Sequence, residues 1–555
     1  MRRPRSILSP AFGLLAALLS AALVNPGLVD SALPAGPGLT LDESFNIEQG
    51  VRLARGLAEY GPLLWVPGSG SQVFAEPEHL PDHPPLGRLV LGLAHEWLGW
   101  LIPGAGSAIF NVAGARLGSG LAFGLTVWCV VEFCRRRYGA VTAATTGLML
   151  IGLPPLMGHS RLAALETCTN LAWSAAVVGL LSWWTRSKPP TSRQAIFSGV
   201  FWGLLLLTKV QGILLPPAVL MWAVLRFRGG SIRPLMLWTV AGLAVAFCGW
   251  PWLWEDPLGH SLQYLGRTTN RSVLYCWYLG ERYEDRLVPW HYSWVMLACS
   301  LPVWTLAGLV LRAVQRRMDA AEWLLLLTTT VPLCVFSVPG VPVYDGIRLF
   351  LPSLLGLAVL AGRGWGGLIL GFAGGLPAGA GWAGGWVRSP QVPVVLVLLL
   401  LALVPLPWTM QPFAINQYGV ICGGNRGAAA LGMEACYWGD SLNGDFWRLV
   451  PEGSVLEVAP VSHPQQLAAL QLLVPLVSER QITLRPYLYG EHGAEEPETL
   501  LLLHRLADLR TELRGDRAGW REQLRVEQSG VPLARVSRQL ALNPDAEKPK
   551  TGRNY

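Results

Sequence analysis

The chain has 555 residues, 52% of them hydrophobic and only 14% charged, with 25 Trp and a net charge of +7. That composition is too apolar for a soluble globular protein of this length and reads as a mainly α-helical, polytopic membrane protein. The positive balance does not imply nucleic acid, because Arg and Lys fall in short clusters between apolar runs, as they do in cytoplasmic loops.

Residues 1–6 carry Arg2, Arg3 and Arg5 ahead of an apolar run from Ile7 to about Val29. Signal peptides and first transmembrane helices share this pattern, and we favour an uncleaved helix with a cytoplasmic start. Further runs of spanning length lie near 108–134, 139–157, 164–184, 233–251, 293–313, 321–338, 348–370 and 391–408. The run 195–226 is too long for one helix and is interrupted by Lys209, so it reads as two short helices. The expected total is about eleven spans, each roughly 20 residues.

Basic clusters at 135–137, 186–193, 226–233, 312–317 and 363–388 all fall on the side of Arg2. The amino terminus is therefore expected in the cytoplasm of a plasma (inner) membrane protein, with 31–107, 158–163, 252–292, 339–347 and 409–555 outside. The outer segments hold nearly every unusual polar residue. A short helix is expected over 44–56, and 86–102 reads as an interfacial helix with two Trp at headgroup level. The Gly-rich stretch 362–385 lacks the spacing of a nucleotide loop and fits close helix packing followed by a cytoplasmic turn.

After Pro407 the chain becomes more polar, with strand-like VLEVAP (455–460) and TLLLLH (499–504) around helix-like 463–477. The expected division is a transmembrane catalytic part, 1–408, and a small extracytoplasmic α/β domain, 409–555. The nine Cys show no metal-site spacing; Cys422 and Cys436 could pair if that domain faces an oxidising compartment.

The chemistry-bearing candidates begin with Asp42 and Glu43 in LDESFNIEQG (41–50), at the point where the chain leaves the membrane. Acids in the first turn of a helix can simply complement its dipole. The company they keep argues for more. In the same loop LPDHPPLGRLV (80–90) places Asp82 and His83 before a rigid Pro84-Pro85 step. GHSRLAALETCTN (158–170) contributes Arg161 and Glu166, LLLLTKVQGILLPP (204–217) contributes Lys209, and VYDGIRLF (343–350) contributes Tyr344, Asp345 and Arg348. Arg116 stands near the outer end of the second span. A Lys or Arg near a helix centre costs about 2.5–3.5 kcal/mol on insertion scales, so such residues are functional suspects, with snorkelling to the headgroups as the plain alternative.

An acidic pair followed some 40 residues later by HPPLG and a basic residue resembles the protein O-mannosyltransferases and their bacterial relatives, glycosyltransferase family 39, of the GT-C fold. The likeness continues through the Ser-Arg motif, with Glu166 where Asp is usual, and the Lys-x-x-Gly step, covering roughly the first 220 residues. It implies transfer of a sugar, mannose-like, from a polyprenyl phosphate to a hydroxyl on a protein, lipid or glycan at the outer membrane face. Arg116 also resembles the family's Arg that pairs with the acidic motif.

Residue chemistry fits that transfer. Asp42 is the expected general base, with Glu43 orienting it or binding sugar. Arg116, Arg161, Lys209 and Arg348 are candidates for holding the donor phosphate, and Asp82, His83, Glu166, Tyr344 and Asp345 for binding substrate. Glu255-Asp256 and Glu284-Asp285 are rival pairs that read better as loop solvation or acceptor contacts. There is no phosphate loop, Asp-x-Asp or dinucleotide fingerprint, so a nucleotide-linked donor is disfavoured. No cofactor is required, although some GT-C relatives use a divalent metal and that option stays open. The expected partners are the polyprenyl-linked donor, the acceptor and membrane lipids. A transporter or flippase is the main rival; against it, the sequence shows no internal repeat and its polar residues collect on one side.

Overall fold

The computed structural model describes residues 7–27, 34–102, 110–269, 273–315, 317–374, 412–461, 464–488 and 497–540. The opening arginines, the span expected at 391–408, the end of the Gly-rich stretch and the boundary at 408 lie outside these residues.

Helices form over the apolar runs, but few are long and straight. Val112–Tyr138, Val210–Cys248 and Arg348–Gly371 are long and apolar enough to cross a membrane. Two further candidates are bent pairs: Ala140–Ile151 with Pro154–Ser160 at 66°, and Tyr292–Cys299 with Val303–Val314 at 110°. Pro154 opens the second helix of the first pair and Pro302 caps that of the second. Proline has no N–H to continue the preceding helix, which accounts for both breaks. The first apolar run is helical only over Leu8–Ala21, and Ala320–Phe336 is also shorter than a bilayer core requires. Among the described residues, length and composition thus support three to five spans, against about eleven expected.

The segments expected outside are helical as well. Helix formation over 44–56 extends to Leu41–Tyr60, here called the acidic helix. The expected interfacial helix is Pro85–Leu98, followed by a 3-10 turn; Trp97 and Trp100 are exposed, whereas Arg88 and His95 turn inward. These two helices cross where a Cβ on Gly92 would meet the Gly50 carbonyl oxygen at 1.9 Å, so only glycine permits the approach. The HPPLG helix is also tied at its start, where Leu86 N–H donates to Leu207 O at 2.9 Å. That bond seats it on the turn between Ser192–Leu206 and Leu215–Phe227, where Lys209 breaks the apolar run as its sequence suggests.

After a two-stranded antiparallel hairpin, β1 Tyr275–Tyr278 with β2 Glu281–Glu284, the polar C-terminal part builds a five-stranded sheet in the order β4-β3-β5-β7-β6, with β3 Val455–Ala459, β4 Thr483–Pro486, β5 Thr499–Leu503, β6 Trp520–Gln528 and β7 Val531–Gln539. Both neighbours of β3 are parallel to it and β7 is antiparallel to β5 and β6. Helices Pro464–Leu473 and Pro475–Glu479 cross from β3 to β4, and Leu456, Val458 and Leu501 pack with Leu470 and Val474 in one core. Ahead of the sheet, residues 412–449 lie against the membrane part: Gly38 N–H donates to Asp440 O at 2.6 Å, and Asn443 Nδ2 to Gly36 O at 3.0 Å. Cys422 and Cys436 are both free thiols; Cys422 Sγ instead lies 3.7 Å from Cys299 O, and Cys436 Sγ 3.9 Å from Asp440.

Candidate active site at the membrane rim

Asp42 and Glu43 both lie in the first turn of the acidic helix, but successive helical residues point about 100° apart, so the two carboxylates face different partners. Glu43 closes a capping box, its Oε2 accepting the Thr40 N–H at 3.0 Å. The same carboxylate takes Arg116 Nε at 2.6 Å and Nη2 at 2.7 Å, and Ala163 N–H at 2.6 Å. Arg116 spends its other donors on Val24 O, Pro37 O and Gly38 O. A guanidinium has five N–H groups and all five are used. Both side chains are 0% exposed.

This corrects two expectations. Arg116 has no donor left for a phosphate, and Glu43 is sealed from any substrate. Together they tie the first loop to the segment carrying Arg161 and Glu166, which is the pairing the family resemblance implies for Arg116. Arg161 itself is buried at the end of the helix Pro154–Ser160, two residues ahead of the Ala163 amide that Glu43 holds.

Asp42 faces a second ion-pair centre. Arg348 donates to Asp42 at 2.5 Å, to Glu166 at 2.7 Å and to Asp345 at 2.9 Å, with its guanidinium 4.2 Å above the Trp438 ring. Lys209 Nζ lies 2.6 Å from the same Glu166 oxygen. Glu166, expected to bind substrate, gathers the two cations on its Oε1 while 3% exposed. Its Oε2, however, is buried with no hydrogen-bond partner. Asp345 is drawn into place by its own left-handed backbone, φ 57°, with Gly346 following at φ 61°. Tyr344 beside it is half-buried.

Asp82 and His83 occupy the rim beside this centre. Asp82 pairs with Arg88 at 2.8 and 3.1 Å, and its side chain is 47% exposed. Its first task is therefore to anchor the HPPLG helix. Burial pulls the His83 imidazole down to about 4, with the charges of Arg88, Lys209 and Arg348 adding to the effect and Asp82 opposing it. It is neutral at pH 7, and its Nδ1 is buried without a hydrogen-bond partner. Two buried polar atoms at this centre, Glu166 Oε2 and His83 Nδ1, thus have no hydrogen-bond partner among the described residues.

Sequence reasoning missed the contributions from beyond the last span. Trp438 supplies the ring under Arg348, and Tyr437 OH bonds His159 Nε2 at 3.1 Å. Arg505, two residues past β5, reaches Asp345 at 3.4 Å and Asp508 at 2.6 Å. No motif marks these residues. The only signals were an aromatic pair in a polar segment and a basic residue at a strand end. The rival acids Glu255 and Asp256 stay at the surface, while Asp285 is buried away from it. Among the described residues no group of three or more His, Cys, Asp or Glu could hold a metal ion.

Residues 82–254 match the family model described as dolichyl-phosphate-mannose-protein mannosyltransferase. The matched segment opens on Asp82 and runs past Arg161, Glu166 and Lys209, so it covers motifs that build this site. Crystal structures of ArnT from Cupriavidus metallidurans, bound to undecaprenyl phosphate and in the apo state, are similar to the chain at 16% identity and a TM-score of 0.47, over 95% of this chain and 97% of that one. No curated protein matches. The family match bears out the resemblance to membrane glycosyltransferases that draw on a polyprenyl-phosphate-linked sugar.

Proposed function

We propose that this polyprenyl-phosphate-sugar-dependent membrane glycosyltransferase transfers a mannose-like hexose to a hydroxyl acceptor on the extracytoplasmic side, with Asp42 as general base. One observation carries the assignment. Asp42 is 32% exposed, whereas Arg348, Lys209, Glu166 and Asp345 are each less than a tenth exposed. An incoming acceptor can reach one carboxylate of the cluster, and that carboxylate is the one beside the cations.

In the resting arrangement Asp42 is engaged by Arg348. The donor's phosphate offers Arg348 a stronger acceptor than a carboxylate already shared with water, and Lys209 lies beside the same position. Phosphate binding then releases Asp42 to accept the acceptor's proton. The deprotonating oxygen attacks the anomeric carbon, the bond from that carbon to the phosphate oxygen breaks, and the polyprenyl phosphate leaves with its electron pair. Arg348 and Lys209 stabilise the negative charge that grows on the leaving group. In this reading sugar hydroxyls complete the bonding of Glu166 Oε2 and His83 Nδ1, which have no partner among the described residues. These two cations perform the task a divalent metal would, so chelation should leave the rate unchanged.

The test is transfer of labelled sugar from polyprenyl-phosphate donors to a panel of protein, lipid and glycan acceptors by the purified protein, with Asp42→Asn and Lys209→Ala alongside. Wild type should transfer label and Asp42→Asn should not. Equal transfer by both would remove Asp42 as the base.

A further inference from the structure

The long helix Val112–Tyr138 carries a second charged feature at its other end. Arg116 and Arg136 are 20 residues apart on it, about 30 Å at 1.5 Å per residue, the full depth of a hydrocarbon core. At the Arg136 end, between this helix and Leu165–Trp183, lies a cleft of about 690 Å³. Its walls are apolar, formed by Leu125, Trp128, Phe133, Val178 and Leu181, and its end is basic, formed by Arg136, Arg137 and Arg186.

We propose that this cleft binds one anionic phospholipid, with an acyl chain along the walls and the phosphodiester between Arg136 and Arg186. Leu125 and Trp128 are 46% and 45% exposed, so the walls open outward from the bundle rather than into its core. From Leu125 to Arg136 is about 16 Å along the helix, close to the roughly 15 Å depth of one leaflet's hydrocarbon. The charges match an anion. The one lining carboxylate, Glu132, accepts from Arg135 at 2.8 Å through both oxygens, from Arg136 Nε at 2.6 Å and from Ser9 at 2.7 Å, so a single acid faces several arginines and this end keeps an excess of positive charge, with the Arg136 side chain 73% exposed. Arg186 is exposed and has no ion-pair partner among the described residues. A basic end on an apolar cleft between membrane helices is the arrangement that selects an acidic headgroup over a zwitterionic one. The distance from Arg116 separates this seat from the donor site.

Intact protein in detergent, titrated with phosphatidylglycerol or phosphatidylcholine and read by mass spectrometry of the complex, tests the inference. Wild type should retain phosphatidylglycerol in preference to phosphatidylcholine. Arg136→Gln with Arg186→Gln, which leaves Glu132 paired to Arg135, should weaken that retention roughly tenfold or more, the effect of losing charge-assisted bonds. Exposed Arg186→Gln alone should show part of the loss, which keeps the test decisive if the double variant folds poorly. Val178→Trp, filling the cleft while sparing the arginines, should also abolish retention. Equal retention of both lipids, unchanged retention in the arginine variants, or undiminished binding in Val178→Trp would each overturn the proposal.

Discussion

Glu43 and Asp42 are neighbours in one helical turn, yet the ion-pair centres they enter differ in kind. The Glu43–Arg116 centre is closed: neither side chain is exposed and every guanidinium N–H has an acceptor. The Asp42–Arg348 centre is open: its Asp42 carboxylate is 32% exposed and Glu166 Oε2 lacks a partner. Complete satisfaction marks a group whose work is structural, because nothing is left for a ligand to gain. An incomplete set of bonds in a buried site persists where binding completes it.

The comparison breaks most sharply at the acids themselves. Asp42→Asn should lower transfer by about 10²–10⁴-fold, the usual worth of a positioned base, while leaving the melting temperature near that of wild type. Glu43→Gln should do the reverse in origin. It strands the buried Arg116 charge and should cost about 3–5 kcal/mol of stability, read as a fall in melting temperature and in folded yield. Replacing both partners, as Glu43→Leu with Arg116→Met, removes the stranded charge but leaves the Thr40 and Ala163 N–H groups and the Val24, Pro37 and Gly38 carbonyls without these partners, so it should recover only part of that loss. If Glu43→Gln keeps its stability and loses only rate, the closed centre is catalytic after all and the distinction fails.

How far this division was legible depends on how local each signal is. A charge inside an apolar run, a Pro-Pro step and an acidic helix start are local patterns, and they gave the acidic helix, the HPPLG helix, the break at Lys209 and Arg348 as part of the site. Strand-like 455–460 and 499–504 were readable for the same reason. Partner choice is not local. Glu43 and Arg116 are 73 residues apart, and only the family resemblance, not the residues around either, pointed to their closing on each other rather than on a phosphate. Of the expected spans, length and composition confirm three to five among the described residues, because Leu8–Ala21 and Ala320–Phe336 are shorter than a bilayer core requires and two other runs are bent pairs. Trp438 and Arg505 come from the polar part after the last span and become site residues only through packing.

Arg505 sharpens the comparison from the open side. It pairs with Asp345, which in turn holds Arg348, so under the proposed mechanism it acts as a positioning residue supplied from just past β5. Arg505→Ala should reduce kcat by roughly tenfold, about 1.4 kcal/mol of lost positioning, with a smaller change in donor KM. Arg505→Lys should restore part of the rate. A purely structural role would instead lower the melting temperature in both variants and leave kcat per folded molecule unchanged.

A pH dependence is expected at the same junction. Burial pushes the Glu434 carboxyl up to about 8, against the opposing pull of Arg505 and of the Ala507 N–H, which its Oε1 accepts at 2.8 Å. Between the ordinary Glu value of 4.5 and about 8, the folded chain keeps a proton that the unfolded chain has released. Stability from this group is therefore full below pH 4.5, declines as pH rises through that window, and levels off above 8. Asp440, raised by burial to about 7, acts in the same direction over a lower range. Glu434→Gln cannot ionise yet keeps an oxygen for the Ala507 N–H, so its melting temperature should fall less between pH 5 and pH 8 than that of wild type. The same slope in both would mean that Glu434 is already ionised in the folded chain, with Arg505 rather than burial deciding its charge.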